Sequence, residues 1–148
     1  MKSSEIITPE GNIAQYTIDN NNELNLIFSH ANGFNGRVYN SLLHNINNNY
    51  NIHTYDMRGH GDTTLKANPN NLKSWYSFRD DLLSVIENFK TPVVLSGHSM
   101  GATASLLVAL HKPKLVKKLI LIEPVILPLR YIISYRLLQF LKLAHFVS

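Results

Sequence analysis

Between Val93 and Ala102 the chain reads VVLSGHSMGA. Ser99 lies between Gly97 and Gly101, with an apolar run before it and an alanine-rich, helix-like segment after it. A serine held between two glycines where a strand turns into a helix is the pattern of a nucleophile elbow. The glycines are needed because the turn is tight, and bulk at either position would strike the neighbouring strand or helix. A helix opening at Met100 turns its free amides and positive dipole end toward negative charge developing near Ser99. Serine alone attacks poorly, so the pattern calls for a base and an acid that orients it.

Two further stretches have types suited to the same chemistry. SHANGFNG, Ser29 to Gly36, follows an apolar strand-like run. A tetrahedral oxyanion needs two amide donors, one from the residue after the nucleophile and one from an earlier glycine-containing loop. Met100 would supply the first and Asn32 the second, with Phe34 as the fallback. DMRGHGDT, Asp56 to Thr63, also ends a strand-like run. Gly59 and Gly61 permit unusual backbone angles there, Arg58 is expected to pair with Asp56 or Asp62, and the loop is expected to shape the rim of the site.

The elements that must hold these loops alternate. Ala14–Asp19, Leu24–His30, Tyr50–Asp56, Thr91–Gly97 and Leu115–Pro124 read as strands. Gly36–Ile46 reads as a helix with Val38, Leu42 and Ile46 on one face. Ser77–Phe89 reads as a helix with a capping box from Ser77 to Asp80 and an apolar face of Phe78, Leu82, Val85, Ile86 and Phe89. Met100–His111 is the third helix. Strands alternating with helices imply an α/β fold with a mostly parallel sheet flanked by helices. The near-continuous apolar run before Ser96 suits a strand buried on both faces.

The 148 residues and 45% apolar content fit one globular domain. Cysteine is absent, which excludes disulfides and thiolate metal sites. Net charge is +4, and Lys112, Lys114, Lys117 and Lys118 cluster between a helix and a strand. No aromatic residues interleave with them, so they read as a solvated loop, and nucleic acid is not an expected partner. The amino-terminal MKSSEIITPEG lacks the apolar core of a secretory signal, which makes the cytoplasm the default location. LRYIISYRLLQFLKLAHF, Leu129 to Phe146, is helix-like and apolar, but Pro124, Pro128, Arg130 and Arg136 interrupt the stretch and make it a poor membrane span.

Taken together, HANGF, DMRGHGDT, the Ser77–Phe89 helix, GHSMG and LILIEPVILP resemble the α/β-hydrolase superfamily in its esterase and lipase-like branch. They stand in family order from Leu24 to about Leu129. The resemblance implies that residues 1–124 correspond to the N-terminal half of a hydrolase core, through strand six, and 125–148 to the start of a helical cap. It implies Ser99 as nucleophile, Met100 and Asn32 as oxyanion donors, and a small ester-like or thioester-like substrate split through an acyl-enzyme. No metal or organic cofactor is implied. Serine at the elbow, where dehalogenases and epoxide hydrolases carry aspartate, leaves esterases, lipases, thioesterases, C–C hydrolases, perhydrolases and acyltransferases.

In that family the triad acid and base follow the elbow, after strands seven and eight. Of the seven histidines, His30 and His60 fall in loops, His44 and His111 on helices and His53 in a strand. His98 precedes Ser99 and should point away from its Oγ, and His145 alone lies free after the elbow. Glu123 is the one acid near the expected site. Loss of a triad base costs roughly 10⁶ in turnover, about 8 kcal/mol, so this stretch alone is expected to be nearly inert. The strand ending at Pro124 would present an apolar edge that invites self-association or aggregation. The alternative reading is therefore a non-catalytic remnant or interaction module pairing through that edge.

Overall fold

The computed structural model describes residues 1–46, 49–68 and 74–126. Six strands form one sheet: β1 Lys2–Thr8, β2 Gly11–Ile18, β3 Asn25–Ser29, β4 Asn51–Tyr55, β5 Val93–His98 and β6 Val116–Ile122. Their spatial order is β1-β2-β4-β3-β5-β6. β1 and β2 form an antiparallel hairpin, and β2 runs antiparallel to β4. From β4 through β3 and β5 to β6 every pairing is parallel. Three helices, α1 Asn40–His44, α2 Tyr76–Ile86 and α3 Met100–His111, lie between strands.

Strand parity divides the core in two. Ile27, Val93 and Leu95 pack with Tyr55, Leu82, Val85, Ile86, Ala104 and Val108 on the face that carries α2 and α3. Leu26, Phe28, Ile52 and Val94 point the other way and pack with Leu43 of α1. Adjacent residues of β3 and β5 thus serve opposite faces, so these strands are apolar without alternation. On α2 the expected face forms: Leu82, Val85 and Ile86 are buried, with Phe78 and Phe89 packed at its edges.

Several expectations change. β1 was not foreseen, because KSSEIIT has little amphipathic contrast; its strand exists through seven paired positions with β2. The helix expected over 36–46 shrinks to Asn40–His44. Its buried residue is Leu43, whereas Val38, Leu42 and Ile46 are 54, 50 and 42% exposed. Periodicity identified the residues sharing a face, but no described element covers that face. The capping box at Ser77 does not form. Ser77 lies inside α2, whose N-cap is Trp75 with no side-chain cap bond, and Asp80 pairs with Arg79. Ser74 Oγ instead accepts the Tyr76 amide at 3.3 Å.

β6 sits at the sheet edge. Leu119 packs against the α3-side core, while Ile120 and Ile122 are 36 and 39% exposed. The segment Leu129–Phe146, its Arg136 and His145 lie outside the described residues. Among the described residues no helix is long and apolar enough to cross a membrane.

Candidate active site

Parallel strands place the loops at their carboxyl ends on one rim, and β3, β4 and β5 end together there. Ser99 follows directly on β5 and opens α3 with φ 51° and ψ −112°. That backbone region is sparsely populated for any residue with a Cβ and costs about 1–3 kcal/mol. The strain is held by packing on both sides. A Cβ on Gly97 would come within 2.5 Å of Gly101 C and 2.7 Å of Ala102 N. A Cβ on Gly101 would overlap the Ser29 carbonyl and reach 2.6 Å from the His30 oxygen. Gly97 therefore lets β5 meet α3, and Gly101 lets α3 rest on the end of β3. The second contact brings the Ala31–Phe34 loop beside the α3 N-terminus.

Further bonds anchor the elbow. The Ser99 amide donates to Ile122 O at 2.9 Å, at the end of β6. The Ser99 carbonyl accepts the Thr103 amide at 3.1 Å and the Thr103 hydroxyl at 3.2 Å. Thr103 Oγ1 also accepts the Val125 amide at 2.9 Å, which ties the chain after β6 to α3. Ser99 Oγ has no hydrogen-bond partner among the described residues.

The loop after β3 is tied down from three directions. His30 is fully buried, gives Nδ1–H to Ala31 O at 2.7 Å and accepts the Met57 amide on Nε2 at 2.9 Å. Both ring nitrogens are thus committed in the neutral form, and burial lowers its pKa. His60 gives Nδ1–H to Arg58 O at 2.9 Å, leaving Nε2 to accept the Gly33 amide at 3.2 Å. The Asn32 carboxamide lies 3.1 Å from the same Nε2. Tyr39 accepts the Ala31 amide at 3.3 Å and lies 2.8 Å from His98 Nδ1. The Phe34 amide is used within the loop, donating to Ala31 O at 3.2 Å. Asn32 N–H carries no such bond among the described residues.

Asp56, fully buried at the end of β4, is the hub of the rim. Its carboxylate accepts the Gly36 amide, the Asp62 amide and the Tyr16 hydroxyl, each at 2.8 Å. Those bonds join the loops after β3 and β4 to β2. The Tyr16 phenol is raised well above its ordinary pKa by burial and by the two carboxylates it touches. Arg58 does not pair with Asp56 or Asp62, contrary to expectation. It makes two 2.7 Å bonds to Asp81 on α2 and a 3.2 Å contact to Glu10. Asp62 instead meets Arg37 at 3.0 Å. Nearness in sequence misled here: Asp56 is occupied by backbone donors, and Asp81 is a buried carboxylate that requires a cation.

The comparisons with known proteins agree with this frame. The family model described as serine aminopeptidase, S33 (Hydrolase_4) matches residues 21–147. The chain belongs to this α/β-hydrolase family. Among solved structures, a hydrolase from Pseudomonas aeruginosa PA01 superposes with a TM-score of 0.77 at 20% identity, over 95% of this chain and 53% of that one. The thioesterase domain from the curacin biosynthetic pathway gives 0.74 at 24% identity, over 84% and 44%. The N-acyl homoserine lactonase AidH, complexed with N-butanoyl homoserine, gives 0.73 at 21%, over 84% and 45%. At these identities the likeness is one of fold. The S33 hydrolase chain spans about half the length of these structures.

Within the S33 frame, Ser99 and Met100 follow β5 with Gly97 and Gly101 on either side, and Asn32 lies in the loop after β3, whose end packs on Gly101. His98 turns its ring toward Tyr39, and Glu123, just past β6, has φ 48° and lies 3.5 Å from His98 Nε2. His44, His53 and His111 stay within α1, β4 and α3. Reasoning from sequence missed Tyr39, His60 and Asp56 as organisers of the rim. Only a polar residue at a strand end, as Asp56 is, hinted at one of them.

Proposed function

We propose that Ser99 is the nucleophile of a serine hydrolase acting on a carboxylic ester or thioester-like bond through an acyl-enzyme. The observation that carries this is the strained Ser99 backbone, φ 51° and ψ −112°, at a strand-to-helix turn where its side chain makes no cap bond among the described residues. Such strain persists where surrounding structure enforces it and is concentrated at functional sites. In the proposed reaction Ser99 Oγ attacks the carbonyl carbon and its proton passes to a base outside the described residues. The oxyanion then takes hydrogen bonds from the Met100 and Asn32 amides. Asn32 is preferred over Phe34 because the Phe34 amide is already committed to Ala31 O. The tetrahedral adduct collapses with loss of the alcohol or thiol, and water later releases the acid. The thioesterase domain and the lactonase named above are consistent with acyl-type substrates. Residues 1–124 would form the core that carries the nucleophile, with 125–148 leading into a cap.

A fluorophosphonate probe read by intact mass tests this reading. The expected result is one adduct on Ser99 that disappears in Ser99→Ala. Equal labelling of the two proteins overturns it.

A second reading is favoured by one observation: β6 is an edge strand with Ile120 and Ile122 exposed. In that reading the chain self-associates through this edge. Sedimentation velocity over a concentration series checks it, and a monomer throughout would dismiss it.

A further inference from the structure

We infer that Tyr39 and His98 form a hydrogen-bonded strut that sets the oxyanion loop at its working distance from the elbow; both are positioning residues. The inference rests on the nucleophile reading for its catalytic consequence, but not for its geometry.

The donors and acceptors fix its direction. The Ala31 amide donates to Tyr39 Oη at 3.3 Å, so the phenol O–H is left to donate. Its partner is His98 Nδ1 at 2.8 Å, which we assign as the acceptor nitrogen. The ring proton resides on Nε2, facing Glu123 Oε2 at 3.5 Å. Burial raises the Tyr39 pKa and keeps it a phenol able to donate.

Packing holds the strut in place. The Tyr39 ring lies 4.6 Å from Phe28 and 6.0 Å from Phe34, centroid to centroid, and meets the His98 ring edge-on at 6.0 Å. The two ends matter most. Ala31 immediately precedes Asn32, and His98 immediately precedes Ser99. One strut of two side chains therefore links the residue before Asn32 to the residue two before Met100, the two proposed oxyanion donors. Displacement of such donors is costly, because they act on charge only where the oxyanion forms. The Glu123 end is 85% exposed, so its contact orients the ring tautomer weakly and the Tyr39–His98 bond is the working part.

The test uses the full chain with Tyr39→Phe, which keeps the ring against Phe28 and removes only the hydroxyl. Native-state amide exchange at Ala31 is expected to quicken about tenfold, the size of one lost hydrogen bond, while Ile27 in β3 is unchanged. The His98 ring ¹⁵N shifts should move from the single Nε2–H form to a mixture of tautomers. Fluorophosphonate labelling of Ser99 should slow by a similar factor. His98→Leu, which cuts the link from the other side, should reproduce the loop loosening. His98→Asn places an acceptor near the Nδ1 position and should restore most of the protection. Unchanged exchange and ring shifts in Tyr39→Phe would overturn the strut, as would loosening in only one of Tyr39→Phe and His98→Leu. Equal labelling of the unmodified chain and of Ser99→Ala would instead sink the nucleophile reading, with exchange and ring shifts still deciding the strut.

Discussion

The rim at the carboxyl ends of β3, β4 and β5 and the flank formed by α1 and β6 are built on opposite terms. On the rim, Asp56, His30, His60 and Tyr39 each join two or more segments by bonds of 3.3 Å or less. On the flank, Phe34, Val38, Leu42 and Ile46 recur at intervals of four and all stand exposed, as do Ile120 and Ile122. Asp56 and His30 are buried polar groups, which are costly to leave unpaired, and His60 and Tyr39 are half-buried. Flank residues are exposed apolar groups, each of which loses little in the isolated chain. Changes on the rim should accordingly cost much and changes on the flank little, unless a partner covers the flank.

The steepest break of that contrast is Gly101→Val. Its side chain has to displace the Ser29 and His30 carbonyls, which are backbone. The expected result is loss of cooperative unfolding, or destabilisation by about 3 kcal/mol or more, measured by urea titration. A midpoint close to that of the parent would show that β3 and α3 are not locked together.

Next comes Asp56→Ala, which strands the Gly36 and Asp62 amides and leaves the Tyr16 hydroxyl to Asp62 alone. With each orphaned donor costing about 1–3 kcal/mol, a loss of about 3 kcal/mol is expected, water entry relieving part of the total. A loss below about 1 kcal/mol would mean that the hub is solvated.

A milder comparison is made by pH. Burial lowers the His53 pKa to about 4, and it also lowers that of His30. Unfolded histidine titrates near 6.5. Above that value the two states bind no differing proton at these sites and the stability is complete. As pH falls from about 6.5 to 4 the unfolded chain takes up protons that the folded chain refuses, so stability declines across that window. His53→Gln should flatten part of the decline in thermal melts. An unaltered slope would leave His30 or the carboxylates as its source.

Ser99→Gly should act in the other direction. Removing the Cβ at φ 51° is expected to stabilise the chain by about 1 kcal/mol while abolishing probe labelling. A destabilised glycine variant would show that the elbow is not strained. The smallest effect on stability belongs to the flank. Ile120→Lys should change the unfolding free energy by no more than about 0.5 kcal/mol, yet reduce any self-association seen by sedimentation. A large stability loss there would show that the edge is already covered in solution.

The order of strands and helices, the elbow and the two rim loops were legible in the sequence. Each depends on local spacing: the glycines around Ser99, the apolar run of β5, and the i, i+4 pattern of α2. The Leu82, Val85 and Ile86 face could be read because α2 lies on a sheet and that face is what it buries. The same reasoning over 36–46 grouped Val38, Leu42 and Ile46, all of which stand exposed, while Leu43 is the buried residue of α1. Periodicity reports which side chains share a face, and packing depends on what lies opposite. β1 escaped notice because its strand arises from pairing with β2 and not from its own pattern.

The tertiary structure alone decided which side chains meet across the rim. Arg58 faces Asp81, 23 positions away, and Tyr39 meets His98, 59 positions away. Asp56 turns from the neighbouring arginine to amides and a phenol. Hydrogen bonds have ranges of about 3 Å and strict donor–acceptor roles, so partners follow from where strand ends converge. Chain order determined the strands and the elbow; the convergence of β3, β4 and β5 determined which residues hold the loop beside Ser99.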